Sequence, residues 1–333
     1  MGTDRTHGRL IALLAVVALV VTACGGGGDG SAATGGGDDT GAGTGGGGGD
    51  EPTISLAVNP WTASALNVEI AKIVIEENLG NPVEIVAIDE NTMFTGMADG
   101  TLDAALEIWP SGVTADERAF FDDGSVVDIG ELGAIGKIGW FVPRYVIDEN
   151  PELATWEGYR DREVAQMFAT AETGDKGRFL GTDPSYSQYD EAIIENLGLP
   201  FQVVFSGSEP ATVAELAARH AAQEPILMYW WTPTAAVAEY DLVNVTLPPY
   251  SDECYEVPEE IDCDYPEDVL FKAASALLEE KDPEVWQFLQ NFTITTDDQL
   301  SMLPAVETEQ REPAEVAREW VDANQDVWSA WLP

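Results

Sequence analysis

The chain has few of the side chains that most enzymes use for catalysis. Its 333 residues include two histidines, three cysteines and five lysines. His7 lies in an N-terminal segment that we expect to be removed, and His220 lies among alanines on a predicted helix, where a surface or packing role is usual. The sequence contains no G-x-S-x-G elbow, no Cys–His pair and no P-loop. It therefore predicts a protein without catalytic residues and without a cofactor.

Positive charge is also scarce. Lys and Arg total 15 against 60 Asp and Glu, which gives a formal net charge of −45. A surface of this sign repels phosphates, so nucleic acid is excluded as a partner. The charge is typical of a well-solvated protein surface, and it also favours the approach of cationic ligands.

Only one long apolar run is present, and it lies near the N-terminus. Residues 10–21 form an unbroken run of twelve apolar residues behind Arg5 and Arg9. This length suits the core of a signal peptide and is too short to span a bilayer. The run ends in Val-Thr-Ala-Cys24, which resembles the bacterial lipobox. We expect a lipoprotein signal peptide over residues 1–23 and a lipidated Cys24 that holds the protein at the extracytoplasmic face of the cell membrane. An ordinary secretory signal is the alternative.

Residues 24–50 follow as the lipidated cysteine and a glycine-rich tether. Such a segment has too little apolar surface to offset the entropy lost on ordering. Its expected root-mean-square reach is about 25–30 Å. A domain held in this way stays near the membrane but is free to turn.

The two remaining cysteines, Cys254 and Cys263, are nine residues apart in an acid-rich segment. Outside the cytoplasm this spacing predicts a disulfide. The acids could supply oxygen ligands to calcium, but their spacing does not match an EF-hand loop, so we predict no metal site.

Strands and helices alternate from residue 53 onward. The first series predicts strands at 54–58, 83–88 and 102–108 with helices between them, and the second series resumes at 137–142. Such alternation indicates parallel sheets with right-handed crossovers, and two series indicate an α/β protein of two lobes. Near the C-terminus the pattern predicts helices over 268–279, 283–291 and 313–331.

Aromatic residues gather where the predicted strands end. Trp61, Trp109, Trp231 and the turn 184–188 all lie at carboxyl ends of strands, where open α/β sheets bind ligands. Indole faces attract a cation that cannot donate hydrogen bonds, by about 2 kcal/mol when desolvated. An aromatic cage of such rings would hold a trimethylammonium group, although rings that only fill the core are the alternative. Trp230 and Trp231 alternate along one strand, so only one of them can line a cleft.

The turn before Asp190 offers a second feature. Ser187, Asp190 and the apolar residues that follow are typical of a capped helix start, and free backbone N–H groups there can hold a ligand carboxylate. An ordinary N-cap without a ligand is the alternative.

Three segments carry a resemblance to a known family. Residues 99–110, 181–186 and 228–233 resemble matching segments of the glycine betaine/proline betaine-binding proteins of ABC importers, and the likeness runs from Ile54 to Trp331. The resemblance implies a type II periplasmic-binding-protein fold with two hinge crossings, a ligand cleft between the lobes and docking to a membrane permease. We place the first lobe at 51–140 plus 244–333 and the second at 141–243.

The same resemblance implies roles for individual residues. Trp109, Tyr186 and Trp231 match positions of the family's aromatic cage. The backbone amides near Ser187 and Gln188 match those that bind the ligand carboxylate.

Two departures from the family bear on the ligand. Trp61 matches a cage residue of choline-binding relatives, but Ala63 replaces their acid two residues later, which favours a betaine over choline. Where some betaine binders place a histidine after the first W-x-P, this chain has Ser-Gly-Val at 111–113.

The sequence thus predicts a binding protein that delivers glycine betaine or a related quaternary ammonium compound to an ABC permease. A choline- or carnitine-binding protein of the same fold is the first alternative. An extracellular enzyme on a small metabolite would need a buried acid in the cleft, for which Asp89, Glu107 and Asp183 are candidates. A sensor whose loaded form contacts a receptor is a third.

Overall fold

The strands of the described chain belong to one mixed sheet. A computed structural model describes residues 51–186 and 188–333, so the predicted signal peptide, Cys24 and the tether lie outside the described residues. Nine strands occur within these ranges: β1 (Ile54–Val58), β2 (Val83–Ala87), β3 (Ala104–Ile108), β4 (Val126–Pro143), β5 (Gly177–Gly181), β6 (Phe201–Phe205), β7 (Leu227–Thr232), β8 (Leu242–Asn244) and β9 (Glu267–Ser275).

The strand order is β2-β1-β3-β9-β4-β7-β5-β6, with β8 paired to β4. β1 is parallel to β2 and β3, and β5 is parallel to β6 and β7. The long strands β4 and β9 lie between these two parallel groups and pair antiparallel with each other and with their neighbours. The predicted α/β alternation in two series is confirmed.

Thirteen α-helices accompany the strands in the described residues, together with short 3₁₀ turns. They are α1 (Thr62–Asn78), α2 (Glu90–Asp99), α3 (Ala115–Asp122), α4 (Arg144–Glu149), α5 (Arg162–Met167), α6 (Asp190–Asn196), α7 (Glu209–Ala222), α8 (Ala235–Glu239), α9 (Leu278–Lys281), α10 (Pro283–Asn291), α11 (Thr296–Glu307), α12 (Pro313–Ala323) and α13 (Gln325–Trp328).

Local sequence signals set the ends of the helices around the first parallel group. The Asp89 side chain accepts a hydrogen bond from the Thr92 N–H and caps α2,. The same helix ends at Gly100, whose φ of 77° is the left-handed conformation that favours glycine,. Thr114 and Glu117 form a reciprocal capping box at the start of α3,. These caps fix the points at which the chain leaves and enters the sheet.

The C-terminal third corrects two sequence predictions. Residues 268–279 were expected as a helix, but 267–275 form strand β9, in which Asp268, Leu270 and Lys272 are buried at every second position. This period of two is that of a strand, and pairing with β3 and β4 on both sides overrides the local helical preference,. The single helix predicted over 313–331 is interrupted at Asn324, so that α12 and α13 are separate.

The structure also bears on the predicted disulfide and on membrane-spanning segments. Cys254 and Cys263 are joined by a disulfide with their Cα atoms 6.5 Å apart. In the part of the chain that the structure describes, no helix is both long and apolar enough to cross a membrane.

Candidate functional site

A small cavity lies at the carboxyl ends of parallel strands from both groups. Its aromatic lining consists of Trp61 after β1, Trp109 after β3, Tyr186 after β5, and Tyr229 and Trp231 on β7. We call these residues the five-ring cage. Ile138 on β4 and Glu90 at the start of α2 also line it. The site is thus built where open α/β sheets usually bind ligands.

The rings of the five-ring cage meet at steep angles. Tyr186 is central, with its ring centroid 5.5 Å from that of Trp61 at 87° and 5.7 Å from that of Trp231 at 81°. Tyr229 lies 6.1 Å from Trp231. Edge-to-face packing is an arrangement that aromatic pairs prefer. A cation that enters a cavity lined by such rings is attracted to any ring face it meets.

One buried carboxylate holds two of the indoles. Glu107 on β3 is 1% exposed, and its Oε1 accepts hydrogen bonds from Nε1 of Trp61 at 2.7 Å and from Nε1 of Trp109 at 3.2 Å. Its Oε2 accepts from Nδ2 of Asn67 at 2.6 Å and from Nε2 of Gln299 at 3.3 Å. Burial raises the pKa of this carboxyl to about 7, against the lowering effect of the hydrogen bonds from both indoles,.

A glycine on β4 makes room for the Trp109 ring. A Cβ at Gly136 would lie 2.2 Å from Cζ3 of Trp109, far inside van der Waals contact. Position 136 therefore has to stay without a side chain for the indole to lie against the strand.

The Tyr186 hydroxyl joins two distant parts of the chain. It donates to the Pro60 carbonyl oxygen at 2.6 Å, across 126 residues of sequence. Burial raises the pKa of Tyr186 far above its usual range, so the phenol is neutral at physiological pH,. Nearby, Nδ2 of Asn91 donates to the Ser185 carbonyl at 2.9 Å. The turn that carries Tyr186 is thus fastened to segments that follow β1 and β2.

The structure brings together four of the six residues predicted to bind the ligand. Trp61, Trp109, Tyr186 and Trp231 all line the cavity. Gln188 is not among the lining residues, and its Nε2 donates to the Asp183 carbonyl at 2.7 Å. Ser187 lies outside the described residues.

Only one of the two adjacent tryptophans on β7 lines the cavity, as alternation predicts. Trp230 is fully buried and donates from Nε1 to Oγ1 of Thr234 at 2.8 Å. Its ring nevertheless stacks on that of Trp231, with centroids 4.4 Å apart, so it supports the cavity wall from behind.

Three lining residues were missed by the sequence analysis. Tyr229 precedes Trp231 by two residues and so faces the same side of β7,. This period of two is visible in the sequence and indicates that Tyr229 lines the cavity together with Trp231. Glu90 follows the end of β2, which is also a recognisable position. Ile138 lines the cavity because it lies opposite Trp231 in the β4–β7 register, and no local signal shows that pairing.

The helix start after this turn differs from the prediction. α6 begins at Asp190 with Tyr189 as its N-cap, and no side chain caps it. The Asp190 carboxylate points inward, where its Oδ1 accepts from Nε1 of Trp140 at 2.6 Å and from the Tyr265 hydroxyl at 3.1 Å. The Asp190 carboxylate therefore serves as a buried hydrogen-bond acceptor and does not cap α6.

The acids named as catalytic candidates have other partners. Asp89 caps α2, Glu107 holds the two indoles, and Oδ1 of Asp183 accepts from the N–H and hydroxyl of Ser185. His220 packs between the rings of Tyr145 and Tyr240, away from the cavity. Across residues 51–186 and 188–333, no group of three or more His, Cys, Asp and Glu side chains is arranged to hold a metal ion.

Comparison with known proteins places these features in context. Residues 52–323 match OpuAC, the substrate binding domain of ABC-type glycine betaine transport systems. The trimethylamine N-oxide-binding protein of Pelagibacter ubique (strain HTCC1062) is 25% identical over 261 residues, which are 77% of this chain and 83% of that protein.

Two solved structures show the fold. The glycine betaine/L-proline-binding protein ProX from Borrelia burgdorferi has a TM-score of 0.68 at 19% identity, over 84% of this chain and 97% of that chain. An ABC-transporter choline binding protein in complex with choline has a TM-score of 0.67 at 17% identity, over 84% of this chain and 91% of that chain. The predicted two-lobed fold of periplasmic binding proteins is confirmed.

Proposed function

The chain belongs to the family of substrate-binding domains of ABC-type glycine betaine transport systems, and we propose that its five-ring cage captures glycine betaine or a related quaternary ammonium solute. The observation that carries the proposal is the cavity lined by Trp61, Trp109, Tyr186, Tyr229 and Trp231. Methylated ammonium groups offer no hydrogen-bond donor, so ring faces are the side chains best suited to bind them. Membership in the family makes the protein a transport component, and the family's proteins work outside the cytoplasm.

The polar end of the ligand decides between candidate solutes. Ala63, in place of the acid of choline-binding relatives, favours a betaine, whose carboxylate would meet backbone amides near Ser187 and Gln188. Glu90 in the lining supports a second candidate, because its carboxylate would accept a hydrogen bond from the hydroxyl of choline and repel the carboxylate of a betaine,. Glycine betaine and choline are therefore the two ligands to compare first.

The N-terminal features complete the proposal. Cys24, at the end of a lipobox-like segment, would carry the lipid anchor, and the tether would let the domain reach its permease,. The lobes at 51–140 plus 244–333 and at 141–243 would close on the ligand and present a joint surface to the permease subunits.

Titration calorimetry on purified protein from Gly25 onward tests the ligand. We expect one-to-one binding of glycine betaine or choline, with quenching or a shift of tryptophan fluorescence, and no turnover of either compound. Failure to bind glycine betaine, proline betaine, choline, carnitine and trimethylamine N-oxide would refute the proposal.

A further inference from the structure

The carboxylate behind the five-ring cage has no cationic partner in the protein. Glu107 accepts its hydrogen bonds from two indole N–H groups and two amide N–H groups, and all four donors are neutral. Among the described residues, no Lys, Arg or His forms an ion pair with it. A carboxylate that is 1% exposed therefore lies under a cation-binding cavity without a counter-ion of its own.

The other ionisable groups around Glu107 add no positive charge. Glu209 on α7 raises the pKa of Glu107 by charge repulsion. Glu90 and Glu117 line a small second cavity together with Glu107, on the α2–α3 side. Tyr186 faces it from the turn after β5, and its own pKa is raised in part by the Glu107 charge. Every one of these groups is acidic or neutral, so nothing that faces Glu107 offsets its charge.

Burying an ionised carboxylate without an opposite charge is costly, and buried charges in proteins are usually paired. Neutral hydrogen bonds recover part of that cost. The remainder is recovered when a permanent cation enters the cavity, because charges attract strongly at short range in a poorly hydrated site. The ligand and the carboxylate would then be separated by the two indole rings that the carboxylate itself holds.

We propose that Glu107 is a positioning and specificity-determining residue of the ligand site, which fixes the Trp61 and Trp109 rings and supplies the counter-charge for the ligand's ammonium group. The inference rests on the proposed function. In this view the aromatic rings recognise the shape of the methylated ammonium group, and the Glu107 carboxylate recognises its positive charge.

The affinity of the site for a cation should depend on pH. With the pKa of Glu107 at about 7 in the free protein, a cation that favours the ionised form displaces its proton on binding,. Affinity for the cation is then highest above pH 7 and falls as the pH drops below it. We expect the dissociation constant of choline or glycine betaine to be at least tenfold higher at pH 5 than at pH 8.

The decisive experiment compares a cation with its neutral isostere. Choline and 3,3-dimethyl-1-butanol have the same shape, but carbon replaces nitrogen in the second. Wild-type protein and Glu107→Gln are titrated with both at pH 8. The glutamine retains an oxygen that accepts hydrogen bonds from the two indoles. The side-chain oxygens of Asn67 and Gln299 have no hydrogen-bond partner in the described chain. If these two amides flip, their oxygens can accept hydrogen bonds from the new NH₂ group.

We expect Glu107→Gln to reduce the preference for the cation over the neutral isostere at least tenfold and to weaken the pH dependence of binding. Asp103→Asn is the matched control, because Asp103 is a buried acid just before β3 that bonds to Ser55 and Lys281 and does not line the cavity. It should leave both properties unchanged.

The outcomes separate the two proposals. If wild-type protein binds quaternary ammonium ligands and Glu107→Gln keeps the same preference and pH profile, the role of Glu107 is refuted while the proposed function stands. If the variant does not fold, the wild-type titration decides, since affinity that is constant from pH 5 to pH 8 also refutes the role. If wild-type protein binds none of glycine betaine, proline betaine, choline, carnitine and trimethylamine N-oxide, both proposals are overturned.

Discussion

Trp231 is surrounded by other aromatic rings, since its ring contacts those of Tyr186, Tyr229 and Trp230. Replacing it with alanine removes one face of the five-ring cage, and loss of a desolvated cation–π contact of about 2 kcal/mol corresponds to more than a tenfold change in affinity. We expect Trp231→Ala to weaken ligand binding at least tenfold in calorimetry while the protein remains folded by circular dichroism.

Trp286→Ala is the control for this variant, because Trp286 is a half-buried tryptophan on α10 that does not line the cavity. It should bind ligand as the wild type does. Equal affinity of Trp231→Ala and wild type would remove Trp231 from the binding site.

The Tyr186 hydroxyl contributes separately from the Tyr186 ring. Its hydrogen bond to the Pro60 carbonyl is worth about 1 kcal/mol net, and Tyr186→Phe removes it while keeping the ring in place,. We expect affinity to fall about three- to tenfold, mainly through faster ligand release in stopped-flow fluorescence.

Tyr159→Phe is the matched control, since its buried hydroxyl donates to the Leu153 carbonyl at 3.0 Å away from the cavity. It should lower stability slightly and leave the release rate unchanged. A similar release rate in Tyr186→Phe and Tyr159→Phe would contradict the role given to the Pro60 contact.

At the scale of elements, β4 forms the floor against which Trp109 lies. Gly136→Ala would place a methyl group 2.2 Å from the Trp109 ring, so the indole has to leave its position in the cavity wall. We expect a loss of affinity of at least tenfold, with retained secondary structure, measured by calorimetry.

Gly139→Ala on the same strand is the control. Its Cβ would lie 2.3 Å from Nδ2 of Asn244, the end of a side chain that can rotate away, and in ordinary van der Waals contact with the Phe141 ring. Because the neighbouring side chain can move to make room for the methyl group, the ligand affinity of Gly139→Ala should stay within about threefold of wild type. Equal effects of both substitutions would indicate a general disturbance of β4.

Two helix starts are linked by one carboxylate. Glu209, at the first turn of α7, accepts from the N–H of Thr62 at 3.0 Å and from the Thr62 hydroxyl at 3.2 Å, at the start of α1. By our proposed boundaries α1 and α7 belong to different lobes, so this contact would stabilise the closed arrangement. Glu209→Ala should weaken ligand binding about tenfold, since a charge-assisted hydrogen bond is worth about 1.5–3 kcal/mol.

The reference for Glu209→Ala is Glu215→Ala, on the same helix, whose partners Arg178 and Arg219 lie within the proposed second lobe. Small-angle scattering of the ligand-saturated proteins should show a larger radius of gyration for Glu209→Ala only. If both variants bind and scatter like wild type, α1 and α7 do not form a closure contact.

At the scale of the whole molecule, the buried acids and the net negative charge both make the folded protein less stable as the pH rises. Burial raises the pKa of Glu107, Asp190 and Glu209 to about 7 and that of Glu307 to about 8. A carboxyl whose pKa is higher in the folded than in the unfolded state stabilises the fold fully below pH 4, and that contribution is lost as the pH rises through 7 to 8. Fewer ionised acids also reduce the repulsion within a chain of net charge −45,.

We therefore expect the ligand-free protein to unfold at a higher temperature at pH 5.5 than at pH 8, by about 4 °C or more. Calorimetric scans in matched ionic strength measure the difference, and Asp190→Asn should reduce it. An unfolding temperature that rises from pH 5.5 to pH 8 would contradict the raised pKa values.

Much of the fold and of the site could be predicted from local sequence. The alternation of strands and helices and the tryptophans at strand ends follow from short-range periodicity and turn residues, and they located Trp61, Trp109, Trp231 and the turn 184–188. The family resemblance singled out Tyr186 within that turn. These features depend on residues close to one another in the chain, so the sequence displays them directly.

The rest was decided by contacts between distant segments. β9 is a strand because β3 and β4 flank it. Glu107 is a buried acceptor because Trp61, Asn67 and Gln299 converge on it from as far as 192 residues away. The sequence by itself determined which rings stand at the carboxyl ends of strands, whereas only the tertiary structure decided which carboxylate orients them, because burial and hydrogen-bond partners are properties of the packed chain.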